Sequence, residues 1–172
     1  MKVLVAYHSQ TGNTKKVADA IFGEIQCDKE IKKIEDVAGL EGYSIAFIGF
    51  PVWQSGPSEP AKKFLSAQGA GNHIAIFVTH AMLSTPADRQ LRGKLKGILE
   101  NCKACASHMN LAGFFDCQGE LSEAVAELLV KSNNPALQRF AGLRGMTLGH
   151  PNEEELHKAR AFARDIMYNF KP

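Results

Sequence analysis

Apolar residues along this chain gather in short runs separated by polar stretches of helical pattern. The runs are Val3–Ala6, Ile45–Phe50 and Ile74–Val78, with a weaker one over Leu111–Phe115. Near-continuous apolar runs predict strands buried on both faces, as in a parallel sheet covered by helices. A fainter strand is expected near Ile31–Ile34. Val17, Ala18, Ile21, Phe22 and Ile25 recur at helical spacing after the first run. Ser58-Glu59-Pro60 opens a helix that runs to about Ala67, with the proline in its first turn. Thr85-Pro86-Ala87-Asp88 opens another, with Thr85 as cap. Asn152 to Glu155 reads as a capping box with an acidic first turn. The helix it starts has a stripe of Leu156, Ala159, Phe162, Ala163, Ile166 and Phe170.

Strand and helix in alternation predict a three-layer, doubly wound α/β fold over one domain, residues 1–172. Residues 119–149 break the pattern. They offer a helix over about Ser122–Lys131, a break at Asn133-Asn134-Pro135 and a second short amphipathic piece, Ala136–Leu143. This segment reads as an insertion that either covers the sheet edge or forms a lid touching a substrate or partner.

Composition changes the picture by exclusion. Net charge is +2, so no basic field argues for nucleic acid. No apolar run has the length of a transmembrane helix, and no membrane insertion is expected. Four cysteines without a secretory leader point to a reducing cytoplasm. Oligomeric state is not legible.

Candidate chemistry concentrates in the loop after the first run, Ser9-Gln10-Thr11-Gly12-Asn13-Thr14. A strand, a glycine-containing turn and a helix start present backbone N–H groups to an anion. The loop has hydroxyls and amides that donate but no Lys or Arg. That suits a phosphate held and never transferred. The alternative is an ordinary polar turn capped by Asn13 or Thr14. In an open α/β sheet, ligands sit beyond the carboxyl ends of the strands. Two more loops converge there: Pro51-Val52-Trp53-Gln54-Ser55-Gly56-Pro57, with the only tryptophan, and Thr79-His80-Ala81-Met82-Leu83-Ser84-Thr85. Together they fit a planar aromatic ligand bearing a phosphate.

Other groups read more plainly. Cys102-Lys103-Ala104-Cys105 invites a redox or metal role, yet Leu91, Leu95, Ile98, Cys102, Cys105 and Met109 form one helical stripe, so both thiols are expected as core residues. Cys27 and Cys117 are expected to be structural. His8 is either a phosphate donor or a solvated loop residue. His80 is the better candidate for tuning a bound redox group, and His150 is expected in a turn. No dinucleotide-binding glycine loop appears.

On these residues the chain resembles the flavodoxins. Ser9–Thr14 is similar to their FMN-phosphate loop. Gly49-Phe50-Pro51-Val52-Trp53, followed by Gly56, Pro57 and Pro60, resembles the loop that contacts the isoalloxazine. Phe115–Gly119 and Gly149–Leu156 resemble the last strand and the entry to the final helix. The resemblance implies a five-stranded parallel sheet of order 2-1-3-4-5 and non-covalent FMN. It implies contacts from Ser9, Gln10, Thr11, Gly12, Asn13, Thr14, Pro51, Val52, Trp53, Gln54, Ser55, Gly56, Thr79, His80, Ala81 and Met82. Trp53 would flank the ring, and the Ser55–Gly56 peptide could turn toward it. Two features depart from the family. Electron carriers of this kind are commonly acidic, and this chain is not. The third loop lacks a tyrosine, leaving His80 or Met82 against the ring or that face open.

The implied function is electron transfer between a reductase and an acceptor enzyme. The alternative is a flavodoxin-like NAD(P)H- or quinone-dependent oxidoreductase acting on a flat molecule such as a quinone or tetrapyrrole. A flavin-free interaction module is the remaining reading.

Overall fold

A computed structural model describes residues 1–83 and 89–171. Five parallel strands form the sheet: β1 Lys2–Tyr7, β2 Asp28–Lys33, β3 Ile45–Trp53, β5 His73–His80 and β6 Asn110–Gln118. They lie in the order β2-β1-β3-β5-β6, the 2-1-3-4-5 arrangement expected. A two-residue strand, β4 Gly56–Pro57, folds back antiparallel on the end of β3, pairing Trp53 with Gly56.

Helices cover both faces. On one side α1 (Asn13–Glu24) and α6 (Glu153–Asn169) pack over Val3, Val5, Phe47, Ala75 and Phe77. On the other, α2 (Glu59–Ser66) and α3 (Arg89–Ala104) cover Leu4, Ile48, Phe50, Ile76 and Val78. The alternation follows from strand geometry, since successive side chains point to opposite faces. The middle of each central strand is therefore apolar on both faces. Phe162 of α6 stacks on Phe115 at 5.6 Å and meets Phe47 edge-on at 6.1 Å.

Local signals mostly act as the sequence predicts. Asn152 and Glu155 form the reciprocal capping box at the start of α6. The stripe through α3 is buried at Leu95, Ile98 and Cys102, while Cys105, just past the helix, is half-buried. The expected Thr85–Asp88 helix start lies outside the described residues.

The second strand differs. It occupies Asp28–Lys33, and Ile34 already belongs to a 3₁₀ turn. Its sequence, Asp-Lys-Glu-Ile-Lys-Lys, is that of an edge strand blunted by charge, which carries little apolar signal.

Residues 119–149 include α4 (Glu123–Val130) and α5 (Pro135–Gly142), capped by Ser122 and Asn134. Leu121, Ala126 and Ala141 form a small core there, with Val125, Leu129 and Phe140. Ala81, in the loop after β5, packs into the same cluster. The buried Thr147 hydroxyl accepts the Leu121 N–H at 3.0 Å. The segment thus braces one of the three candidate ligand loops.

Candidate functional site at the carboxyl ends of the strands

The start of α1 is built to stay open. Gly12 is its N-cap, at φ +92°, a left-handed conformation that costs an L-residue about 1–2 kcal/mol. Glycine brings no side chain, so nothing caps the helix from that position, and its first turn contains no acid. In α6 of the same molecule, Asn152 and three glutamates satisfy those needs. A helix start that its own N-cap residue does not cap leaves N–H groups for other acceptors.

The loop is nonetheless rigid. Ser9 Oγ accepts the N–H groups of Gly12 at 3.1 Å and Lys15 at 3.3 Å, closing the turn and leaving its own proton to donate. Asn13 Nδ2 donates to the Glu120 carbonyl at 2.9 Å, tying the loop to the chain beyond β6. A Cβ at Gly119 would stand 2.8 Å from that Asn13 nitrogen, so the approach requires glycine. Thr14 is 1% exposed, its hydroxyl 2.9 Å from that of Thr79. Lys15, the nearest cation, is pinned to Asp19 at 2.7 Å along the helix. Thr11 and Gln10 are exposed, and no described side chain or backbone group hydrogen-bonds their side chains. The donor set facing outward is therefore uncharged and fits a phosphate monoester.

The second loop is the turn between β3 and β4. Trp53 is 50% exposed at its base. Gln54 sits at φ +56°, unusual for a residue with a Cβ. The Ser55 carbonyl accepts from Asn101 Nδ2 of α3 at 2.9 Å, which anchors the tip. Pro51, Val52 and Gly56 are half-buried beneath it.

The third loop is held from below. His80 is 3% exposed. Its Nδ1 lies 3.0 Å from the Met82 carbonyl and its Nε2 3.2 Å from Asp116 Oδ2. Both ring nitrogens are engaged, so the imidazole fixes the loop's shape and does not stand at its open face. Ala81 and Met82 are half-buried. The structure thus brings all three loops to one end of the sheet. His8 pairs through Nδ1 with Glu35.

Asn101, Glu120 and Ser58 were not singled out from the sequence. Asn101 lies off the buried stripe of α3, a signal for a side chain with another task. The contribution of Glu120 is a backbone carbonyl, which no sequence pattern marks. Ser58 reads as a helix cap, yet its buried hydroxyl makes no hydrogen bond.

A flavodoxin-domain family model matches residues 4–164. The chain belongs to that family. Flavodoxin-like domain-containing protein BilS of Clostridioides difficile (strain CD3) is 29% identical over 177 residues, covering 97% of each chain. Among solved structures, a flavodoxin from the domain Archaea aligns with a TM-score of 0.58 at 17% identity, over 98% of this chain and 97% of that one. A flavoprotein from Lactobacillus acidophilus NCFM, solved in complex with FMN, aligns with a TM-score of 0.53 at 23% identity, over 67% of this chain and 92% of its own. Ser9–Thr14, Pro51–Gly56 and Thr79–Met82 converge at the carboxyl ends of the strands, where open α/β sheets bind ligands. Among the described residues, no cluster of His, Cys, Asp and Glu could hold a metal ion, and no helix is long and apolar enough to cross a membrane.

Proposed function

We propose that this flavodoxin-family chain binds FMN and carries electrons between a reductase and an acceptor enzyme. The observation that supports the reading is the start of α1: a left-handed glycine that brings no capping side chain, no acid in the first turn, and the hydroxyls of Ser9 and Thr11 beside it. Bound there, FMN supplies the capacity to take up and release electrons singly or in pairs.

The residues divide the work. Ser9, Thr11 and the N–H groups at the start of α1 hold the phosphate. Gln10, Gly12 and Asn13 shape the cradle, with Asn13 fastening it to the loop after β6. Thr14 and Thr79 lock the base of the cradle to β5. Trp53 would flank the ring and exclude water from it, a contact worth about 0.5–1.5 kcal/mol beyond buried area. Pro51, Val52, Gln54, Ser55 and Gly56 set its position. His80, Ala81 and Met82 form the opposite wall, with His80 holding its shape. Ser9–Thr14 itself carries no Lys or Arg, and Lys15 is paired with Asp19, so hydroxyls and N–H groups would supply most of the contacts to a phosphate.

A second reading is an NAD(P)H- or quinone-dependent oxidoreductase acting directly on a flat substrate. It is favoured by the net charge of +2, at odds with the acidic character common among such carriers, and by a cavity beside Trp53. One experiment addresses both. Protein that is yellow and releases FMN on denaturation supports the cofactor. NAD(P)H oxidation with a quinone and no added reductase selects the oxidoreductase; electron uptake only from a reductase protein selects the carrier. Colourless protein after incubation with FMN defeats both readings.

A further inference from the structure

The two edges of the sheet are protected unequally. β2 closes one side, and its Lys29, Glu30, Lys32 and Lys33 blunt it against further pairing. β6 closes the other, and Asn110–Gln118 carries a single charged residue, Asp116. Just past β6 the Gly119 N–H reaches inward to the His80 carbonyl at 2.8 Å, while the Gln118 N–H turns outward to Glu155 Oε1 at 3.2 Å. By the alternation of a parallel ladder, the N–H and C=O groups of Phe114 and Asp116 also point outward, away from β5. No described residue takes them up.

β6 and α3 line a groove of about 420 Å³ beside this edge. Leu95, Leu99 and Phe114 give it an apolar floor, and Arg92, Lys96 and Lys103 give it cations. Lys103 stands 5.0 Å from the centre of the Phe114 ring and is held by Glu100 at 2.9 Å. Arg92 and Lys96 are exposed, and among the described residues no carboxylate pairs with either. They sit one helical turn apart, where like charges repel. Arg92 is also close to the start of α3, where the helix dipole opposes a cation and no acid offsets it. Over its length α3 bears Arg89, Arg92, Lys94, Lys96 and Lys103 against Glu100 alone, so the rest of the chain is net acidic. Helix stability gives no reason for this concentration of charge, whereas a partner of opposite sign does.

We infer that β6 and the cation row of α3 dock an extended acidic segment of a protein partner, which adds to the sheet as a strand beyond β6 and turns alternate carboxylates toward Arg92 and Lys96. An added strand lies about 4.8 Å from its neighbour and alternates its side chains, so one of its faces comes over the groove. A second copy of this chain fits poorly, because pairing β6 with β6 about a two-fold axis sets α3 beside α3, cation against cation. Asp116 opposes an acid at the carboxyl end of the groove, and its Oδ2 lies 3.2 Å from His80 Nε2 in the third candidate ligand loop. A partner seated here therefore lies near the proposed FMN site. For its purpose the inference rests on the electron-carrier reading; the bare edge and the groove stand without it.

The probe is a short, end-blocked peptide alternating Glu and Val, titrated into isotope-labelled, FMN-free protein at low salt. It is expected to shift the amide signals of Phe114 and Asp116 and to bind more weakly as salt rises. The same peptide with its backbone N–H groups methylated keeps its charge but cannot pair with β6, and should bind about 10-fold or more weakly. A Lys and Val peptide should not bind. Arg92→Glu/Lys96→Glu should lose the Glu peptide about 10-fold or more and gain the Lys peptide, with circular dichroism confirming that this surface variant folds. Failure of the Glu peptide to bind wild type overturns the inference, as does equal binding of the Glu, Lys and methylated peptides. An oligothymidylate that shifts the same signals as strongly also overturns it, by reducing the groove to a general polyanion site. So does a wild-type dimer in sedimentation that excludes the peptide, which would assign the edge to a second copy. FMN uptake is scored separately by flavin fluorescence: protein that fails it defeats the electron-carrier reading, while the peptide titration still decides the groove.

Discussion

Thr14 Oγ1 and Thr79 Oγ1 lie 2.9 Å apart with both residues buried, joining the first turn of α1 to the end of β5. Each hydroxyl is the other's partner, so the two act as a unit. Thr14→Val or Thr79→Val alone strands one hydroxyl in an apolar setting and should cost about 1–3 kcal/mol. The double Val variant removes both polar groups at nearly constant shape and should lose less than the sum of the singles. Urea denaturation of the four proteins measures the coupling. Strict additivity would mean that the hydroxyls do not pair in solution.

The same pairing divides the cradle's threonines. Thr14 is occupied, whereas exposed Thr11 has its hydroxyl available for a phosphate oxygen. A hydrogen bond to a charged group contributes about 1.5–3 kcal/mol. Thr11→Ala should therefore weaken FMN binding about 10-fold or more while leaving stability near wild type. Fluorescence titration of the FMN-free protein measures it. Unchanged affinity would move the phosphate away from this loop.

Burial governs the thiols. It pushes Cys102 up to about 12 and Cys105 up to about 11, and raises Cys117 as well. A thiol with a raised folded pKa holds its proton more tightly in the native state than in the unfolded one. Stability from these groups is thus fully present below their unfolded value near 9 and declines as pH rises through 11 and 12. The denaturation midpoint should fall on the alkaline side. At about pH 8, a thiol reagent should leave Cys102 and Cys117 unmodified in native protein and label all four cysteines in denaturant. Rapid native labelling of Cys102 would show a reactive site in place of a core residue.

How much of this was legible depended on the reach of each interaction. The central strands and α6 could be read because burial on both faces and a capping box are local patterns. The turn from β1 into α1 could be read because strand, glycine and helix start follow one another. β2 was blurred because an edge strand carries Lys29, Glu30, Lys32 and Lys33 where a central one carries aliphatics. The contact of Asn13 with Glu120 spans 107 residues, and that of Thr14 with Thr79 spans 65, so no window contains both partners. His80 was readable as a loop histidine, but not as one clamped by Asp116, because that depends on the register of β6 beside β5.

The tip of the β3–β4 turn offers a last test. Gln54 is held at positive φ while Asn101 Nδ2 grips the adjacent Ser55 carbonyl at 2.9 Å. This one side chain from α3 offsets part of the backbone strain at Gln54, about 1–2 kcal/mol. The bond lies at the surface, and the turn has only two residue pairs with β3. Asn101→Ala should therefore release the tip without unfolding the core. Hydrogen exchange at Trp53 and Gly56 should quicken about 3- to 10-fold, as expected for losing roughly 0.5–1.5 kcal/mol of local stability. The global unfolding transition should stay put. Gln54→Gly in the Asn101→Ala background relieves the strain at its source and should restore part of the protection. If Asn101→Ala leaves exchange at Trp53 unchanged, the turn keeps its shape without the bond from α3.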